Sequence, residues 1–486
     1  MTAPPIVPAC ANGSASSVKI VLIASAVLIL GLLWTWINYC AFPSLSWNEC
    51  RLTPSFMVAA GANTYPAPNE GPVTTWIYGP VPLLLQLPAT FAPSALSALL
   101  IAGALNLLYV LAPIWFVIRA LGRDEILTTQ LTALGLALAA WPSASLSFIQ
   151  ADNQAVSLGL LSLVILHPAN ASKDGRRLWL AAGAATLSLW CKPTELGPVL
   201  AQLIWISCHQ RLSGLIAHIG RCLATGAAAG VVFLLAFGAP GLIYNMFVIP
   251  SRIPFENIWS KATHPLYFSS TIMCVFVPLL ILGLVGKKVF NTERPLFLYS
   301  LAFLVSLPFN LLGFATVGGN INSLHGYLYL IPITAIWLAR TLGRSINIPS
   351  WGVLMASLII FGFQIVLLGN FSIKPQTELP KQGEAIAAQL EGLVYFPWNP
   401  LITYFTDKTF YHADDGLATR SLIGSPVIGT ALSTHLPPRL CVVAYPRFLV
   451  KGFYRSYCLP SYAKEDLFGL WTLFSWPPPA DVHSTP

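Results

Sequence analysis

The sequence predicts an all-α polytopic membrane protein of about 11 transmembrane helices, followed by a small extracytoplasmic α/β domain. Three observations carry this. Only 9% of the 486 residues are charged, against roughly 25% in soluble domains. The chain is 55% hydrophobic, with a mean hydropathy of +0.68, more apolar surface than a soluble fold can hide. After residue 370 the long apolar runs stop, and that stretch carries 9 of the 26 Lys and Arg.

Residues 1–19 read as a polar, proline-containing cytoplasmic tail. The first apolar run, 20–41, is long enough to cross a bilayer. No small-residue cleavage site follows it, so it reads as a retained anchor rather than a signal peptide. Further candidate spans are 95–118, 126–141, 154–167, 178–191, 195–208, 223–239, 268–286, 295–313, 327–341 and 351–370, giving a transmembrane domain over 20–370. Residues 371–486 form the second domain. There, Leu379 to Leu390 has helical spacing, while Leu393-Val394-Tyr395-Phe396 and Leu440 to Tyr445 read as short strands.

Charge sets the orientation. With the N-terminus in the cytoplasm, 13 Lys and Arg of the membrane domain fall in cytoplasmic loops and 4 (Arg51, Lys192, Arg252, Lys261) fall outside, as expected when positive charge is retained inside. The net charge of +8 is therefore a topology signal scattered over short loops, which excludes a nucleic-acid surface. The long segments, 42–94 among them, lie outside with the C-terminal domain, and that asymmetry places the chemistry on the outer face. A bacterial inner membrane suits the short cytoplasmic side. Nine cysteines contain no C-x-x-C pair, and Cys441 and Cys458, together in the C-terminal region, suit a disulfide if that region faces an oxidising compartment.

The first outer loop holds the most informative residues. It reads Trp47-Asn48-Glu49-Cys50-Arg51, then Gly61-Ala62-Asn63-Thr64-Tyr65, then Trp76-Ile77-Tyr78-Gly79-Pro80. Here the chain resembles the GT-C superfamily of membrane glycosyltransferases, whose members carry an acid soon after the first span, a Gly-x-x-x-Tyr segment and a Tyr-x-Pro motif. The resemblance is best over 42–82. It implies a polyprenyl-phosphate-sugar donor, a glycan, lipid or protein acceptor in the cell envelope, and inverting single displacement on the outer face. Many relatives have Asp or Asp-Glu where this chain has Asn48-Glu49. Glu49 is the expected base, because a carboxylate desolvated at the bilayer surface rises in pKa toward working pH; an interfacial acid paired with Arg51 or a loop amide is the plainer reading. Arg51, Tyr65 and Tyr78 of the same loop are expected to contact substrate.

Asp152 is the expected second acid, or simply a helix N-cap. Lys192, in Cys191-Lys192-Pro193-Thr194-Glu195, is a candidate for holding the donor phosphate, or for closing its turn by pairing with Glu195. Arg252 and His264 suit an anionic lipid phosphate or headgroup snorkelling. Gly318-Gly319-Asn320-Ile321-Asn322-Ser323-Leu324-His325 is similar to a Gly-Gly-x-x-Asn stretch that lines the site in some relatives, which makes Asn320 and His325 substrate-binding candidates; an ordinary turn with a buried histidine is the plainer reading. In the C-terminal domain, Tyr411-His412-Ala413-Asp414-Asp415-Gly416 suits a saccharide surface. His412, Asp414 and Asp415 could also ligate a divalent ion, but three residues in one short run are weak evidence for it, so no cofactor is expected. A transporter or flippase for lipid-linked glycans and a non-catalytic scaffold are the competing readings. The lack of an internal repeat argues against the transporter.

Overall fold

The computed structural model describes residues 47–120, 148–166, 174–256, 294–326, 377–447 and 463–477, with isolated positions in 22–44 and 330–334. Helices dominate: α1 (Asn48–Ala59), α2 (Ala95–Ala120), α3 (Ala151–Leu166), α4 (Gly175–Cys191), α5 (Gly197–His209), α6 (Leu212–Phe237) and α7 (Arg294–Ala315), then α8 (Glu378–Gln389), α9 (Pro400–Asp407) and α10 (Asp414–Leu422) in the C-terminal region. By length and composition, three segments of the described residues can cross a membrane: Ala95–Pro113, Leu212–Phe237 and Phe297–Ala315. Ala151–Leu166 is a shorter apolar helix. The expected spans 126–141, 268–286, 327–341 and 351–370 fall wholly or almost wholly outside the described residues, as do the boundary at 370, Lys261 and His264.

The observed helices follow the apolar runs, with one notable extension. α6 begins at Leu212, well before the expected 223, because polar residues interrupt its first turns without ending the helix. His218 is buried against Gln202 Oε1 at 3.0 Å, and the Arg221 guanidinium lies 6.0 Å from the Trp179 ring centroid. α4 starts at a conventional cap, where Asp174 accepts from the amides of Arg176 and Arg177 at 3.0 and 3.3 Å, satisfying donors that the first turn leaves free. Inside the bundle, Asn106 Oδ1 accepts from Gln86 Nε2 and Gln154 Nε2 at 2.9 and 2.7 Å. Such buried polar links join helices where lipid offers no partners.

The C-terminal region is a small α/β unit. Its four-stranded sheet has the order β1-β2-β4-β3, from β1 (Val394–Tyr395), β2 (Val442–Pro446), β3 (Lys464–Phe468) and β4 (Trp471–Ser475). β1 and β2 run parallel with Val394 opposite Val442, and the other pairs are antiparallel. Leu379, Ile386, Phe396 and Trp471 fill its core. Cys441 is a buried free thiol in that same core, not half of a disulfide, and Cys458 lies outside the described residues.

This unit is bound tightly to the loop that follows the first apolar run. Phe56 of α1 meets Tyr404 and Phe405 of α9 edge-on, at centroid distances of 5.1 and 5.5 Å. Ala413 N donates to Val73 O at 2.7 Å, and Val73 N donates to His412 Nδ1 at 2.9 Å. Buried Arg420 donates to Pro66 O, Ala67 O and Asn245 Oδ1 at 3.0–3.2 Å. Ala95 N at the start of α2 donates to Glu384 Oε1 at 3.1 Å, an acid where the helix dipole favours one.

Candidate active site

Two tight backbone approaches assemble the site. Gly79 of the Tyr78-Gly79-Pro80 motif donates its amide to Cys191 O at 3.0 Å, and a Cβ there would collide with the Trp190 carbonyl. Glycine is thus required for the first loop to touch the end of α4, and the contact delivers Tyr78 to Lys192. Gly416 likewise packs directly on the Thr74 carbonyl. That contact holds the start of α10, and with it Asp415, against the first loop.

Between these elements lies a cavity of about 430 Å³. Its polar wall includes Trp47, Arg51, Tyr78, Lys192, Asn320, Asn322, Ser323, Asp415 and Thr419; its apolar wall includes Met246, Phe247, Ile253, Phe255 and Leu312. One side is closed where Glu256 N donates to Ala315 O at 2.8 Å and Val317 N to Pro254 O at 2.9 Å. The cavity is amphipathic, with two cationic side chains facing an apolar half.

On the membrane-helix side the polar groups are paired. Lys192 Nζ forms an ion pair with Asp152 Oδ1, and Asn322 Nδ2 donates to Asp152 Oδ2 at 2.8 Å. Ser323 Oγ lies 3.4 Å from Lys192 Nζ. Asp152 is only 1% exposed and does not line the cavity. It anchors Lys192, whose Nζ also lies 5.9 Å from the Tyr78 ring centroid. Buried charge is tolerated when paired and hydrogen-bonded in this way. The expected Lys192–Glu195 pair is not the arrangement found: the Lys192 ion pair is to Asp152, and Glu195 Oε1 accepts from Asn310 at 3.3 Å.

On the C-terminal side the arrangement is more open. Arg51, from α1, lies 5.5 Å from the Trp47 ring centroid and donates to Ile149 O at 3.4 Å. Trp47 adopts a left-handed backbone conformation with φ 62°, uncommon for a bulky residue and a strain that functional sites tolerate. Burial pushes the Asp415 carboxyl up to about 6, against the opposing pull of Arg51.

The sequence candidates are therefore distributed unevenly. Arg51, Tyr78, Lys192 and Asn320 line the cavity. Tyr65 stands behind it: its hydroxyl donates to Tyr78 O at 3.0 Å and receives Trp76 Nε1 at 3.2 Å, so it positions Tyr78 rather than meeting a ligand. His325 is 1% exposed, beside Asp152 and Lys192, and is set back from the cavity. Arg252 is exposed at the end of the Ile249–Arg252 helix, while its neighbours Pro250 and Ile253 line the wall.

Glu49, the expected base, is set apart from the cavity. It is 1% exposed, and its Oε1 accepts from Ser44 Oγ at 3.0 Å and from Asn399 Nδ2 of the C-terminal unit at 2.7 Å. Desolvation lifts its carboxyl to about 7, against those two hydrogen bonds. The pairing with Arg51 is also not observed; among the described residues Glu49 is held by neutral groups. Asn48, beside it, caps the α3 entry by accepting from Ile149 N at 3.1 Å and donating to Pro43 O at 2.8 Å.

Asp415 is the lining residue that sequence reasoning undervalued, having placed it only in a saccharide-binding run. The run's three candidate metal ligands diverge. Asp415 faces the cavity, Asp414 Oδ2 lies 3.5 Å from the Tyr445 hydroxyl, and His412 has Nδ1 on Val73 N and Nε2 on Ala431 O.

No protein-family model matches the chain, and no curated protein matches it by sequence. Solved structures do match. ArnT from Cupriavidus metallidurans bound to undecaprenyl phosphate superposes with a TM-score of 0.58 at 11% identity, over 96% of this chain and 98% of that one. The apo form of the same protein gives 0.57 at 11% identity, over 95% and 98%. With its apolar helices and appended α/β unit, this chain is an integral membrane protein that shares the fold of the ArnT structures.

Proposed function

We propose that this protein is a membrane glycosyltransferase that transfers a sugar from a polyprenyl-phosphate donor to an acceptor hydroxyl in the cell envelope. The observation that carries the reading is the cavity itself: Arg51 and Lys192 on one wall and Met246, Phe247, Ile253 and Phe255 on another. A lipid-linked phosphate has this same division, an anion attached to an apolar chain. The bound undecaprenyl phosphate of the ArnT structure supports the same ligand class here. Such a donor carries its own leaving group, so the enzyme has no need of a nucleotide-binding fold.

In this reading Lys192 and Arg51 neutralise the phosphate as the glycosidic bond breaks. Asp152 and Asn322 hold the Lys192 ammonium in place. Tyr78 and Asn320 border the sugar, and Tyr65 braces Tyr78. Direct displacement from the face opposite the phosphate inverts the anomeric centre. The active site opens on the outer face of the membrane, and the C-terminal unit lies on that side. Arg252, and His264 by its sequence position, are proposed to meet the donor's lipid-proximal anion at the cavity margin.

The test is sugar transfer by the purified protein in nanodiscs, with a panel of polyprenyl-phosphate sugars and a cell-envelope extract as acceptor. Product from at least one donor, inhibited by undecaprenyl phosphate, is the expected result. No product from any donor and no binding of undecaprenyl phosphate would overturn the reading.

A further inference from the structure

Sugar transfer to a hydroxyl needs a group that removes its proton, and two of the acids near the cavity are unsuited to it. Both Asp152 oxygens are engaged, one by Lys192 and one by Asn322. Glu49 is sealed beneath the first loop at 1% exposure. Among the described residues that line the cavity, Asp415 carries the sole carboxylate. It projects from the first turn of α10, where its backbone is fixed by the Gly416 contact with Thr74 and by the Ala413–Val73 hydrogen bond. Thr419, one helical turn later, lines the same wall. Arg51 and Trp47 flank the carboxylate from α1.

We propose that Asp415 is the catalytic base, so that the C-terminal unit completes the active site of the membrane domain. The inference rests on the glycosyltransferase reading. The step balances as follows. An acceptor hydroxyl oxygen attacks the anomeric carbon and gives its proton to the Asp415 carboxylate. The bond from that carbon to the phosphate oxygen breaks, and its electron pair leaves with the polyprenyl phosphate, which Arg51 and Lys192 receive. Protonated Asp415 returns its proton to solvent after product leaves. Placing the base on a separate unit lets the acceptor enter between that unit and the membrane helices, while the donor enters from the lipid.

The experiment compares wild type, Asp415→Asn and Asp415→Glu in nanodiscs, with two acceptors: the hydroxyl acceptor found for the wild type, and azide. Azide attacks without losing a proton, so it needs no base. The expected result is a fall of about 10²–10⁴-fold in transfer to the hydroxyl acceptor for Asp415→Asn, with donor KM unchanged, glycosyl azide formation retained and partial recovery in Asp415→Glu. Hydroxyl transfer within about tenfold of wild type in Asp415→Asn would overturn the proposal. So would equal loss of azide and hydroxyl transfer, which would mark Asp415 as merely structural. Wild type inactive with every donor would instead overturn the underlying reading.

Discussion

The two walls of the cavity handle charge in opposite ways. On the membrane-helix wall, Lys192 and Asn322 are both tied to Asp152 behind it, so that each of the two charges has its partner. On the C-terminal wall, Asp415 lies open to the cavity beside Arg51, and Glu49 behind it is held by Ser44 and Asn399 alone. A paired, buried acid keeps its charge and orients a neighbour. A carboxylate desolvated without full compensation moves toward neutral pH, where protons can be exchanged.

The sharpest way to break this contrast is to unpair the first wall. Lys192→Met leaves the Asp152 carboxylate buried without its cation, and the expected cost is about 3–5 kcal/mol, seen as a large drop in melting temperature and folded yield in detergent. Adding Asp152→Asn to that variant is expected to restore most of the stability but none of the transfer. Recovery of transfer in the double variant would show that Lys192 has no role with the phosphate.

Glu49 tests the second wall through pH. Its carboxyl is raised from 4.5 to about 7, so between those values the folded protein binds a proton that the unfolded chain does not. The contribution is therefore favourable at low pH and is lost as pH rises through about 7, by roughly 3 kcal/mol if the shift is fully expressed. Glu49→Gln is expected to flatten the fall in melting temperature between pH 5 and 8. An unchanged pH slope would mean that Glu49 keeps its charge in the fold. Transfer by this variant should stay within about tenfold of wild type, because Glu49 does not reach the cavity.

Smaller effects concern the link between the two regions. Arg420→Ala removes donors to Pro66 O, Ala67 O and Asn245 Oδ1, at an expected cost of about 2 kcal/mol, read as faster proteolytic release of the C-terminal unit. Activity should fall with that release, since Asp415 goes with it. Last, wild-type transfer should decline as pH falls through about 6, because Asp415 must be ionised to accept a proton. The charged and titratable groups around it are Arg51 and Cys50 from α1 and Asp414 from its own helix. The same acid limb persisting in Asp415→Asn would assign it to another group.

Much of this architecture was legible from local pattern. The spans around α2, α3 and α7 follow from apolar run length, and α8 and the strands at 394–395 and 442–446 follow from periodicity. The hairpin of β3 and β4 was not foreseen, since Lys464-Glu465-Asp466 reads as a polar loop; its strand character comes from pairing with β4 and a turn at Gly469, φ 56°. Arg51, Tyr78, Lys192 and Asn320 were found because charged or polar residues are costly between apolar runs and so stand out there. Glu49 was singled out for the same reason: a rare acid beside a span is conspicuous, and its side chain turns toward Ser44 and Asn399.

The sequence by itself determined a membrane-embedded helical chain, a polar loop after the first apolar run and a distinct C-terminal unit, because hydrophobic run length and periodicity are local properties of the chain. Only the tertiary structure decided which acid faces the cavity. Asp415 is brought to the same cavity as Arg51 through contacts between distant segments, Gly416 on Thr74 and Ala413 on Val73. Burial, which sets whether a carboxylate is paired, sealed or open, is a property of those long-range contacts and not of any neighbouring residues in sequence.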